Sequence, residues 1–294
     1  MTNSMMIRST LGDLSSSLDR LQRNQAKVSS GKAIQRVSDD PARAVDALAL
    51  RQRLRRTEQL MRTAEDTAAR LQSADTALVS SFDVLNRVKE LTVQASNGGA
   101  SSDTSRAAIS SELRGLRDEL IGIANTEYLG RSLFNGTATG SAYDPASGAY
   151  LGNSTNYDRT VAAGVTVSVN LTGEQIFGAQ GDPAGDVFAV IDRLAAAVGR
   201  GDLAALTTEH SHLDDASLRV SGAAAEIGRR ARHLTSITVR SETERAELSE
   251  RISLVEDVDF AEALLSMKAS ENAYQATLQA ASRVLPPSLI DFLR

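Results

Sequence analysis

The chain has 294 residues, a net charge of −5 and no cysteine, so it has room for two or three domains but lacks the thiols for disulfides, iron–sulfur clusters, cysteine-held zinc or thiol catalysis. Hydrophobic residues make up 41% of it but aromatics only 4%, and Ala and Leu dominate, which suits long helices with narrow contact seams better than one thick core. Of the basic residues only Lys27, Lys32, Lys89 and Lys268 are lysines; the arginines are spread along an acidic chain, which argues against nucleic-acid binding.

Residues 1–40 predict an N-terminal assembly helix and turn. Ile7, Leu11, Leu14, Leu18, Leu21, Gln25 and Val28 repeat at four and three residues, the spacing of a coiled-coil seam with one polar position. The stretch Met1 to Ile7 has no apolar leader region, and no later run reaches transmembrane length, so neither a cleavable signal peptide nor membrane insertion is expected. A break at Ser29-Ser30-Gly31-Lys32 is followed by Ser38-Asp39-Asp40-Pro41, in which Asp40 can cap a helix and Pro41 can open it.

Residues 41–130 predict a long helical hairpin. The first arm carries Leu50, Leu54, Thr57, Met61, Ala64, Ala68, Leu71, Asp75, Leu78, Phe82 and Leu85 at seam spacing and stops at Asn97-Gly98-Gly99. Arg51, Arg53, Arg55 and Arg56 cluster on it among acidic residues, a solvated face or a source of inter-subunit ion pairs. The second arm starts near Ser102 or Asp103 and fades at Leu129 and Gly130.

Residues 131–186 predict an inserted β-rich outer domain, because period two replaces the helical period. Val165, Val167, Val169 and Leu171 alternate with Thr166, Ser168, Asn170 and Thr172. Asp182-Pro183 then reopens helix, and residues 187–255 predict a returning bundle segment with Val187, Ile191, Leu194 and Val198 before a stop at Gly199 to Asp202. Beyond it the seam resumes from Leu203 to Leu234 and can run on to Val255.

Residues 256–294 predict a C-terminal assembly helix and tail. Phe260, Leu264, Met267, Glu271, Tyr274, Leu278, Ala281 and Leu285 form a seam matching the N-terminal one, and Pro286-Pro287 should end it. The expected fold is therefore mainly α: an elongated long-helix bundle with paired N- and C-terminal coiled-coil helices and a small inserted β-rich domain. Large apolar residues on two marginal helices need partners, so Ile7, Leu11, Leu14, Leu18, Leu21, Val28, Phe260, Leu264, Met267, Tyr274, Leu278 and Leu285 are the candidate assembly interface, between the termini and with other copies.

Several blocks resemble the flagellin superfamily, and within it most closely the hook-associated protein 3 family of hook–filament junction proteins. Gln25 to Pro41, QAKVSSGKAIQRVSDDP, is similar to the family's N-terminal block, and Leu254 to Leu285, with Glu256, Asp257 and Asp259 and then Tyr274-Gln275-Ala276, is similar to its C-terminal one. Gly130 to Thr137, GRSLFNGT, resembles both flagellin and the junction proteins. Tyr150-Leu151-Gly152-Asn153, Val161 to Val169, Asn170-Leu171-Thr172-Gly173 and Ser288 to Leu293 are more like the junction family.

The resemblance implies a structural role without catalysis or cofactor: export through the flagellar apparatus with a chaperone, assembly into a ring of copies on the first hook-associated protein, and a template for flagellin outside the cell. A flagellin filament subunit is the near alternative. A cytoplasmic coiled-coil adaptor or signalling protein is a more distant one, and it leaves the β insert unexplained.

Other motifs have plainer readings. His210 and His212 point to different faces of a helix, His233 stands apart, and the acidic trio at 256–259 lacks calcium-loop spacing, so no metal is expected. The trio reads as helix-surface charge or a partner contact. Arg200-Gly201-Asp202 reads as a helix stop and cap, and Asn135, Asn153 and Asn170 as turn residues.

Overall fold

The computed structural model of the chain describes residues 3–99, 102–182 and 185–284; it is mainly α, with long helices and two small two-stranded sheets. It divides into a terminal unit, Met1–Arg56 with Glu244–Arg294, and a central unit, Thr57–Thr243. Helices α2 (Pro41–Gln94) and α6 (Leu203–Glu256) contribute to both.

In the terminal unit, α1 (Asn3–Ser30) stops at Gly31, which takes a left-handed φ of 68° and donates its N–H to Lys27 O at 2.9 Å. Asp40 Oδ1 then accepts from the Arg43 N–H at 3.1 Å, and Pro41 opens α2, where its missing N–H costs nothing. Asp259 caps α7 (Phe260–Val284), its Oδ1 accepting from the amides of Ala261 and Glu262 at 2.9 and 3.2 Å. The two end helices pack on each other. Ser17 Oγ lies 3.5 Å from Thr277 Oγ1, and Asn24 Nδ2 donates to Ser270 Oγ at 2.7 Å and Ser266 O at 3.2 Å. One heptad forward along α1 is thus one heptad back along α7, an antiparallel pair.

The central unit holds the apolar core. Leu71, Leu78, Leu85 and Val88 of α2 and Leu213 of α6 are fully buried, together with Leu113 and Leu120 of α3 (Asp103–Ala124) and Ile191 and Leu194 of α5 (Val187–Arg200). Each such Leu contributes about 1.5–3 kcal/mol through burial. Buried hydroxyls on the same faces return their protons to their own helix: Thr67 to Thr63 O at 2.7 Å, Ser81 to Ala77 O at 2.8 Å, Ser217 to Leu213 O at 2.9 Å. Ser110 of α3 also donates to Ala195 O of α5 at 2.9 Å.

One expected boundary moves, one helix takes a different cap, and one helix is added. Helix α3 ends at Ala124 rather than near Gly130, because the Asn125 side chain pairs with both backbone groups of Tyr143 (2.9 and 2.8 Å) and draws the chain off the helix axis. Helix α5 begins at Val187, where the expected returning segment starts, but its cap is Asp186, through the amides of Phe188 and Ala189, and not the Asp182-Pro183 signal; Pro183 lies outside the described residues. A short helix α4 (Gly173–Phe177) follows the second sheet and was not legible as a periodic pattern.

Strands β1 (Glu127–Tyr128) and β2 (Arg131–Ser132) form a hairpin whose turn residues, Leu129 and Gly130, both have positive φ, the twist a two-residue hairpin favours. Strands β3 (Asp158–Ala162) and β4 (Val165–Ser168) pair antiparallel with a bulge between Thr160 and Ala162. Val167 and Val169 are buried as the alternation predicts, but Asn170 and Thr172 are buried too. Asn170 Oδ1 accepts from the Tyr157 N–H at 2.7 Å, so the expected outward position is a clamp. Beneath these loops Phe134, Tyr143, Phe177 and Phe188 stack edge to face at ring distances from 4.9 to 6.0 Å.

Candidate assembly surface

The end helices carry the candidate residues on two distinct stripes. Leu14, Leu21 and Val28 of α1 and Met267 and Tyr274 of α7 are half-buried, alternating at heptad steps with Ser17, Asn24, Ala263, Ser270, Thr277 and Ala281. Leu11, Leu18, Leu264 and Leu278 stand one position off that seam and stay exposed, as does Phe260 at the start of α7. Leu265, which the periodic pattern did not select, is the most open of the group at 72% exposure. The Ile7 side chain, Leu285, the double proline and the tail lie outside the described residues.

The reason lies in size. A heptad seam has two faces to choose from at its second position, and the structure buries Ser17 and half-buries Asn24, Ser270 and Thr277 where neighbouring Leu18 and Leu278 were available. Small side chains let the two backbones approach, and their polar atoms bond across the gap. The signal that could have found them is a run of Ser, Thr, Ala and Asn at the same spacing, displaced by one residue from the apolar run.

At one end of the pair the two family-like blocks meet. Ala33 donates its N–H to Glu256 O at 2.7 Å and Val258 to Gly31 O at 3.0 Å, a short antiparallel bridge that also sets Lys32 opposite Asp257. Lys32 Nζ lies 2.5 Å from Asp257 Oδ1 and 3.6 Å from Glu256 Oε2, and Arg51 Nη2 reaches Glu256 Oε2 at 2.5 Å. Arg43 donates to Val255 O at 2.7 Å, satisfying a terminal carbonyl of α6. Glu256 is therefore a buried ion-pair partner, 4% exposed, rather than helix-surface charge. Arg51 thus makes an ion pair within its own chain, which neither reading of the basic cluster, a solvated face or inter-subunit pairs, anticipates.

Electrostatics follow from these contacts. The hydrogen bond from Lys32, then that from Ser253, holds the Asp257 carboxyl below its usual range; the same contact raises Lys32. Asp39 is lowered by the amides of Arg36 and Gln35, which brace the turn before α2. Among the described residues no cluster of His, Asp and Glu could hold a metal, and no helix is long and apolar enough to cross a membrane. His212 Nδ1 sits 3.2 Å from Glu209, while His210 lies 4.0 Å from Asp214, so the two serve separate contacts.

A family model described as the bacterial flagellin N-terminal helical region matches residues 2–139. The chain is similar to flagellin of Bacillus subtilis, 36% identical over 140 residues, covering 47% of this chain and 46% of that protein. It is similar along its length to flagellar hook-associated protein 3 of Escherichia coli, 26% identical over 298 residues and covering 94% of each. It thus spans about half the length of the flagellin and nearly all of the hook-associated protein. A solved structure described as a flagellar hook-associated protein from Vibrio parahaemolyticus has a TM-score of 0.68 and 28% identity, over 74% of this chain and 99% of that one.

Proposed function

We propose that this chain, which belongs to the flagellin superfamily and within it to the hook-associated protein 3 family, joins the flagellar hook to the flagellin filament and offers the surface on which the filament starts. The observation that carries the reading is the apolar stripe Leu11, Leu18, Phe260, Leu264, Leu265 and Leu278, left open on a helix pair held by its smaller side chains. Such a stripe is covered by neighbouring subunits in an assembly. The partners are further copies in a ring, the first hook-associated protein on one side and flagellin on the other. The chain reaches that place outside the cell by the flagellar export route, escorted by a chaperone, and its work is structural rather than catalytic.

A filament subunit is the competing reading, since flagellin of Bacillus subtilis shares 36% identity over its matched part. Coverage favours the junction, with 94% of the hook-associated protein matched against 46% of the flagellin. Deleting the gene tests both: bare hooks with flagellin monomers shed into the medium are expected. Intact filaments in that strain reject the junction role, and unaided growth of long filaments by the purified chain supports the flagellin reading instead.

A further inference from the structure

The GRSLFNGT block, which the assembly role leaves unused, forms one wall of a cavity in the central unit. Arg131, Ser132, Asn135, Gly136, Thr137 and Ala138 line it, with Arg70 of α2 and Tyr157 opposite, around about 130 Å³. A space of roughly 10–15 Å³ holds one water, so a group several times larger fits.

The wall is built in advance. Gly136 has a φ of 69°, and a Cβ there would fall 2.2 Å from Asn153 O, so only glycine lets the two loops close. Asn135 Nδ2 donates to Ala138 O at 2.7 Å and Gly140 O at 2.9 Å, and Thr137 N donates to Asn153 Oδ1 at 3.0 Å. The loop therefore keeps its shape through its own bonds.

Charge is left over at this place. Arg70, Arg131 and Arg159 gather here, and the carboxylate facing them is Asp66, which already pairs with Arg159 and accepts from the Tyr128 hydroxyl at 3.2 Å. Of its five N–H donors Arg70 commits one, Nη2 to Ser132 O at 2.9 Å, while its Nε is buried without a partner. Arg131 makes no side-chain hydrogen bond or ion pair among the described residues. The crowding weighs on the groups themselves: burial, then the charges of Arg131 and Arg159, lower Arg70, and Arg159 followed by Arg131 and Arg70 lower the Tyr157 phenol. In a chain of net charge −5, this is a local positive surplus around a preformed cavity.

We propose that this cavity binds a small oxyanion, a phosphate or carboxylate group, held by Arg70 and Arg131 with the hydroxyls of Thr137 and Tyr157 beside it. Guanidinium groups suit such ligands because their paired donors match the spacing of the oxygens. The inference does not depend on the junction reading.

The test is titration calorimetry of the full-length chain near neutral pH with sodium phosphate and, separately, sodium acetate, at ionic strength fixed with sodium chloride. Saturable binding of at least one anion is expected. Phosphate alone marks a free tetrahedral ion as the ligand, and acetate as well marks a carboxylate such as an acidic side chain of another copy. Arg131 is exposed, so Arg131→Gln should keep the wild-type circular dichroism and melting point while weakening binding about tenfold or more. Arg131→Glu should abolish it. No saturable binding by the wild type, or unchanged affinity in a folded Arg131→Gln chain, overturns the site.

Discussion

In the central unit Leu71, Leu78, Leu85, Leu113 and Leu120 are fully buried, whereas on α1 and α7 the buried residues, among those described, are Ser17, Ala263 and Ala281. Both regions use heptad spacing. One closes its large apolar residues inward within the chain, and the other turns small side chains to its partner helix and leaves the large ones outside. A core of the first kind supports itself. A pair of the second kind is held by a few hydrogen bonds and an ion-pair bridge, and its large apolar residues stay exposed.

That contrast orders the expected effects. Leu78→Ala should cost about 2–5 kcal/mol in denaturant unfolding of the isolated chain, because it opens a cavity in the core. Arg51→Ala leaves the buried Glu256 carboxylate short of its nearest cation and should cost about 1–3 kcal/mol, read as faster amide exchange in α1 and α7 with the central helices unchanged. Equal acceleration in both units would break the comparison. Asn24→Ala removes the bonds to Ser270 and Ser266 and should cost about 0.5–1.5 kcal/mol, again confined to the end helices.

A smaller effect follows from the Lys32–Asp257 contact. Asp257 is lowered on folding, so its contribution is present above its ordinary value of 3.8 and is lost as pH falls through the lowered one. Lys32 is raised, so its contribution holds below its ordinary 10.5 and fades as pH climbs past it. Both side chains are about two-fifths exposed and screened by solvent, so the end-helix exchange rate should change only modestly at those extremes, and Asp257→Asn should flatten the acid limb. Leu278→Asp should move the lone chain's stability by no more than about 0.5 kcal/mol, since its side chain is already exposed. Incorporation into flagella should nevertheless fail, and normal incorporation would separate this stripe from assembly.

Much of this contrast was legible in the sequence, and the part that was not has two causes. Leu14, Leu21 and Val28, Met267 and Tyr274, and Ala64, Leu71, Leu78 and Leu85 were all selected by spacing and lie at or in their seams. At the alternate positions the pattern preferred the largest apolar residue, hence Leu18, Leu264, Leu278 and Phe82, where the structure turns Ser17, Ala263, Thr277 and Ser81 inward. Hydropathy counts a buried Thr or Ser as a defect, yet a hydroxyl that bonds its own helix carbonyl leaves nothing unsatisfied. The Arg51–Glu256 pair and the Arg70–Arg131 cavity were hidden for another reason: each joins stretches far apart in the chain, and no local spacing announces such meetings.

The antiparallel pairing of Ser17 with Thr277 and Asn24 with Ser270 ties the lengths of the two chain ends to each other. Counted outward from the Gly31–Val258 bridge, every turn gained or lost on one side displaces the rungs opposite. Excising seven residues from α1 alone should misalign the ladder, and a matched excision from α7 should bring it back into step. Length changes in α1 and α7 should therefore be tolerated only as matched couples, which binds the two helices into one unit for any redesign.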